Sequence, residues 1–140
     1  MTETRLLLAV LSNLVAFDPA IAGVFRCDLQ QYSTSIYDKD RGGWSNTSGD
    51  PNRKRALVVT LNEDGTNRAA IENTERRHTE PGQWSLVAGH ITVTAPSEIG
   101  GFTLLSIFKD VDGKRPANYS VHTLFGYGAT GAYSGFCTAQ

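Results

Sequence analysis

The chain is poor in the residues from which redox, metal and nucleophile sites are most often built. Its 140 residues include two cysteines, three histidines and one methionine. Cys27 and Cys137 stand near opposite ends of the sequence, which excludes a C-x-x-C redox pair and a zinc site of ordinary ligand spacing. No two of His78, His90 and His122 have metal-ligand spacing, so no metal and no cofactor is expected. A G-x-S-x-G nucleophile elbow is missing too; Ser134 sits in GAYSG. Charge of either sign is not in excess. A net charge of −1 gives no electrostatic case for nucleic acid or an anionic membrane. The longest apolar run, Leu6 to Phe17, is too short to span a bilayer. No internal repeat, low-complexity tract or second domain interrupts the chain.

What the chain does have begins at its N-terminus. MTETR, the apolar run LLLAVLSNLVAF, then Asp18-Pro19 and the small-residue sequence Ala20-Ile21-Ala22 follow the three-part layout of a secretory signal peptide. Glu3 offsets Arg5 in the first part, and the alternative is an apolar helix packed on the domain. With cleavage after Ala22, residues 1–22 are the signal and residues 23–140 a single β domain, secreted or periplasmic. The even cysteine count agrees with export, and a Cys27–Cys137 disulfide joining the first and last strands is expected.

Fourteen glycines and many Thr, Ser and Asn favour strands over helices. Apolar residues alternate with polar ones in short runs bounded by turn residues. The runs are VFRCDLQQYSTSIY, ALVVTL, NRAAIENT, WSLVA, HITVTA, FTLLSIF, YSVHTLF and AYSGFCT. Asp64-Gly65 marks a hairpin, and turns are expected at Pro81-Gly82, at Ala88-Gly89 and between Pro96 and Gly101. The polar stretch DKDRGGWSNTSGDPNRKR reads as a mobile loop. About eight strands with short connections suit an antiparallel meander, either closed as a barrel or folded as a sandwich. GYGATG, Gly126 to Gly131, matches the dinucleotide pattern by letter only, because strand residues rather than a helix follow it.

LVVTLNEDGT followed by GQWSLVAGHITVT, spanning residues 57–94, is similar to a stretch of lipocalin-like (calycin) domains. The resemblance implies an eight-stranded barrel. Members of that class often hold an apolar ligand inside it, and some small secreted ones inhibit enzymes. The G-x-W of the lipocalin first strand is missing here. GGW at Gly42 to Trp44 lies in the polar stretch instead, where GGWSNTSGD also looks like an avidin first strand without the flanking strands that should follow. No family site residue is carried over.

The residues themselves point to a non-catalytic binding protein. Leu57, Val59, Trp84, Ile91, Leu104 and Phe125 are the candidates to line a site for a small apolar ligand. Trp44 in its Gly- and Ser-rich setting, with Arg53 and Arg55, is the candidate anchor for docking on a secreted enzyme or envelope component; the alternative for Trp44 is a lid folded back over one barrel end. Eight strands leave an interior that side chains can fill, so a barrel need not contain a pocket. His90 and His122 are expected to face outward and His78 to lie in a solvated turn. An enzyme using His122 with carboxylates inside the barrel is the remaining and least supported possibility. Asp110-Val111-Asp112-Gly113 reads as a tight turn rather than a calcium loop, since Arg115-Pro116 intrudes. Asn46-Thr47-Ser48 and Asn118-Tyr119-Ser120 match the glycosylation sequon.

Overall fold

A computed structural model describes residues 23–97, 100–123 and 128–140. The signal-peptide reading of residues 1–22 and the candidate Phe125 lie outside the described residues. Among the described residues nine strands follow one another: β1 (Gly23–Asp38), β2 (Gly43–Ser48), β3 (Lys54–Leu61), β4 (Arg68–Asn73), β5 (His78–Val87), β6 (His90–Pro96), β7 (Phe102–Ile107), β8 (Arg115–Thr123) and β9 (Ala129–Ala139). Every pairing is antiparallel. β1 pairs with β3, the meander continues to β9, and β9 returns to β1. The result is a closed eight-stranded barrel, with β2 an additional strand on β1. Of the two architectures that the sequence left open, the barrel is the one formed.

Closure depends on β1, which is long enough to serve two partners on one side. Its first half, from Gly23 to Gln30, pairs with β3, and its second half, from Ser33 to Asp38, pairs with β2. Along its other side it pairs with β9 from Phe25 to Ile36, with a shift of register between Gln31 and Ser33. Cys27 and Cys137 are direct partners across that seam and form the disulfide, with Cα atoms 4.0 Å apart. The bridge expected from the cysteine count is therefore present, at the seam. Bulges of this kind bend a strand and reverse which face its residues present. Tyr32, the extra residue at the bulge, is exposed, and Gly49 donates its N–H to the Tyr32 carbonyl at 2.8 Å.

The period-2 pattern puts one apolar residue in two inside the barrel. Leu57, Val59, Ile91, Val93, Leu105 and Ile107 have 0% exposure, and Phe25, Leu29, Leu61 and Ile71 are nearly as buried. One end, at the start of β1, the end of β9 and the β3–β4, β5–β6 and β7–β8 turns, is closed by Arg115. Its guanidinium donates to the carbonyls of Gly89 and Phe108 and lies 5.8 Å from the centre of the Phe25 ring. The turns near that end are tight. Asp112 and Gly113 both have positive φ between the bridged residues Val111 and Lys114, and Asp110 accepts from the Gly113 N–H at 2.8 Å. That is the Asp-Gly turn read from the sequence.

Ala88 and Gly89 form another two-residue turn, with φ of 52° and 80°. A left-handed alanine costs about 1 kcal/mol, whereas Asn tolerates the conformation. Ala88→Asn is expected to raise stability by roughly 0.5–1 kcal/mol in urea unfolding. A loss of stability would mean that the turn is not of this type.

Three local expectations are corrected. The polar stretch from Asp38 to Arg55 is not one loop; it contains β2. β2 escaped notice because its side chains are almost all exposed, so it carries no apolar alternation. Pro81-Gly82 is not a turn but lies inside β5, and the chain reverses at residues 74–77, where Arg77 has φ of 51°. Proline is tolerated there because β5 pairs with β6 only from Gln83 onward. A Cβ on Gly82 would stand 2.4 Å from the Thr94 carbonyl oxygen, so no other residue fits. β8 also starts earlier than expected, at Arg115.

Candidate functional site

The barrel interior changes character along its axis. Its closed half is apolar and sealed, but at the opposite end the inward positions become polar. Arg55 follows the alternation of Leu57, Val59 and Leu61 on β3 and therefore points inward at the top of that strand. Its guanidinium lies 5.1 Å from the centre of the Tyr133 ring. Gln31, only 5% exposed, donates from Nε2 to the Tyr133 hydroxyl at 3.4 Å and accepts from the Asp50 N–H at 3.2 Å. On the far wall Thr103, fully buried, donates from Oγ1 to Glu80 Oε2 at 3.0 Å. Tyr119 is 5% exposed; burial, with the Glu80 carboxylate second, pushes its phenol pKa up, so it stays a neutral donor.

Between these walls is a cavity of about 70 Å³, lined by Arg55, Arg76, His78, Glu80 and Tyr119, with Asn73 and Ser97 on its rim and Ile71 and Val121 as its apolar surface. One water needs roughly 10–15 Å³ on this measure, so the space takes a single small polar group rather than a whole lipid. Two arginines against one glutamate leave its lining cationic even with His78 neutral. Ile71 lies deepest, at 1% exposure, and Arg76 is exposed on the β4–β5 turn.

The candidates named from the sequence do not form one cluster. Leu57, Val59 and Ile91 belong to the sealed core. Leu104 faces outward, because Thr103 and Leu105 on either side of it take the inside positions. Trp84 lies inside the closed half, packed on the core, with its indole nitrogen buried and no hydrogen-bond partner for it among the described residues. An unpaired buried donor costs roughly 1–3 kcal/mol. Trp84→Phe removes it and is expected to cost under about 1 kcal/mol, against roughly 3–5 kcal/mol for Trp84→Ala. Equal losses in thermal unfolding would mean that the indole N–H has a partner.

Trp44 and Arg53 sit elsewhere, at the two ends of the β2 region. Trp44 is 57% exposed and edge-on to Tyr37, with ring centres 5.6 Å apart. The Arg53 side chain is exposed, while its carbonyl accepts from the Gln31 N–H at 2.9 Å. Arg55, grouped with them by sequence, is instead part of the mouth. His78 is half-buried at the start of β5 and lines the cavity, not a solvated turn. His122 does face outward, stacked on Phe102 at 4.4 Å, with Ser120 Oγ 3.2 Å from its Nε2. It is thus not in the interior where the enzyme alternative required it. His90 is exposed, edge-on to Phe108. Asn46 and Asn118 of the two sequons are both exposed.

Sequence reasoning missed Glu80, Tyr119, Ile71 and Val121. Glu80, Gly82 and Trp84 share one parity, which the turn-forming pair Pro81-Gly82 hides in the sequence. Among the described residues no group of three or more His, Cys, Asp and Glu is arranged to hold a metal. No helix among them is long and apolar enough to cross a membrane, which leaves crossing by strands unaddressed. A buried disulfide is characteristic of proteins that fold in an oxidising compartment. No family model, curated protein or solved structure matches the chain.

Proposed function

We propose that this is a small exported, non-catalytic binding protein that takes its ligand at the open polar end of the barrel. The ligand is a small amphiphile whose anionic head enters the cavity beside Arg55 and Arg76 and whose apolar part lies against Val121 at the mouth. The observation that carries this reading is the cavity itself, a cationic space with an apolar surface above a fully packed core. It modifies the lipocalin-like expectation in one respect. Leu57, Val59 and Ile91 support the site from below rather than touching the ligand.

Anilinonaphthalene sulfonate, an apolar body with one sulfonate, tests this directly against N-phenyl-1-naphthylamine, which lacks the charge. The oxidised protein is expected to take up the sulfonate in preference. Arg76→Gln, which alters only an exposed turn side chain, should weaken that uptake about three- to tenfold. Equal uptake of both probes, or none, would remove the anionic-head reading.

Exposed Trp44 supports a second reading, in which the hairpin of β1 and β2 docks on another exported protein such as an enzyme or envelope component. Under it, Trp44→Ala abolishes partner capture while probe uptake at the mouth is unchanged.

A further inference from the structure

Glu80 is out of place in a space that takes an anion alone. Its carboxylate shares the cavity of about 70 Å³ with Arg55 and Arg76, yet among the described residues it forms an ion pair with neither. Both walls hold their charges in position. Thr103 Oγ1 donates to Glu80 Oε2 at 3.0 Å, while Arg55 lies over the Tyr133 ring and donates from Nη1 to the Lys54 carbonyl at 3.2 Å. Tyr119 stands within reach of both. Burial is the main cause of its raised phenol pKa; after burial, the Glu80 carboxylate raises it further and the Arg55 guanidinium lowers it. A carboxylate accepts at about four sites, so Glu80 has capacity beyond the Thr103 hydroxyl to offer a ligand.

We propose, resting on the anionic-head reading, that the head is a 2-hydroxy carboxylate, whose carboxylate pairs with Arg55 and Arg76 and whose hydroxyl donates to Glu80. A plain carboxylate or a sulfate brings acceptors alone. It leaves Glu80 facing like charge in a space partly shielded from water, which is unfavourable. A neutral donor beside the charge satisfies both walls at once. Size agrees. At roughly 10–15 Å³ for each water-sized group the cavity holds about five to seven, and the two carbons and three oxygens of this head reach the lower figure. Charge decides which donor is present. Two arginines less one glutamate leave the lining at +1 with His78 neutral, and one carboxylate balances it. The ammonium of a 2-amino acid would cancel that carboxylate and meet both arginines as a like charge. The alkyl chain leaves past Val121 at the mouth.

Calorimetric titration of the oxidised protein with 2-hydroxydecanoate, decanoate and 2-aminodecanoate, each below its micelle concentration, tests this. The hydroxy acid should bind about fivefold or more tightly than decanoate, and the amino acid more weakly than either. In Glu80→Gln, with one negative charge gone, decanoate should bind about threefold more tightly and the advantage of the hydroxyl should shrink to under about twofold. Equal binding of 2-hydroxydecanoate and decanoate to the unaltered protein would overturn the assignment, and so would tightest binding of the amino acid. Loss of affinity for both acids alike in Glu80→Gln would overturn it too, by making Glu80 a structural residue. Equal binding leaves the anionic head standing, because the naphthalene probes assay it separately. Binding of neither acid also overturns the assignment, and without uptake of anilinonaphthalene sulfonate the anionic head falls with it.

Discussion

Removing the Cys27–Cys137 bridge should lower the stability of the barrel by about 4–5 kcal/mol, a large share of the roughly 5–15 kcal/mol that holds a domain folded. The bridge is 110 residues apart in sequence, and the cost of closing a loop of that length in the unfolded chain is what the bond removes. It also stands where the fold needs closure most. β1 and β9 are the first and last strands of the barrel, and their pairing is the contact that closes it. Both cysteines are fully buried, so their replacement by alanine also leaves a small void in the core. The direct comparison is urea unfolding of the oxidised protein against the double variant Cys27→Ala, Cys137→Ala. Coincident midpoints would show that the seam is held by its ladder and packing alone.

Gly135→Ala is expected to be among the most damaging single substitutions, at about 3 kcal/mol or more. Gly135 lies on β9 opposite Leu29 of β1 and Ala117 of β8. A Cβ there would stand 2.1 Å from the Asp28 carbonyl oxygen and 3.0 Å from Leu29 Cα, both backbone atoms that cannot turn aside. Its backbone is not left-handed, so the penalty comes from crowding of the seam and not from conformation. Two residues away, the disulfide fixes the same pair of strands and leaves them little room to part. Gly65→Ala provides the contrast. It is strained by a φ of 78°, but nothing lies within 4 Å of its Cβ, so it should cost only about 1 kcal/mol. If the two variants melted together, the close approach at the seam would be wrong.

The sequence makes the wall of the barrel legible and much of its mouth illegible, for a physical reason that is the same in each case. Periodicity reveals a strand only when one face is apolar. VFRCDLQQ, ALVVTL and HITVTA have such a face, and their inward residues Phe25, Leu57, Val59, Ile91 and Val93 could be read by alternation alone. β2 has no buried face, so it resembles a loop. FTLLSI has apolar residues of both parities. Alternation alone therefore cannot choose between Leu104 and its neighbours; Thr103 and Leu105 hold the interior places, Thr103 because Glu80 gives its hydroxyl a partner. Polar residues turned inward at the open end, such as Arg55, His78 and Glu80, read as surface until tertiary closure gathers them around one space. The cysteine pair needed no periodicity. Two cysteines in a chain read as exported allow one bridge.

The central claim is that the open end of a sealed barrel receives the head of an anionic amphiphile. The most direct measurement is a two-dimensional amide NMR titration of the oxidised protein with octyl sulfate below its micelle concentration. Saturable shifts should gather on Arg55, Ile71, Asn73, His78, Glu80 and Tyr119, leaving Phe102 and Trp44 on the outer surfaces unmoved. Shifts centred on Phe102 or Trp44, or none that saturate, would contradict the account.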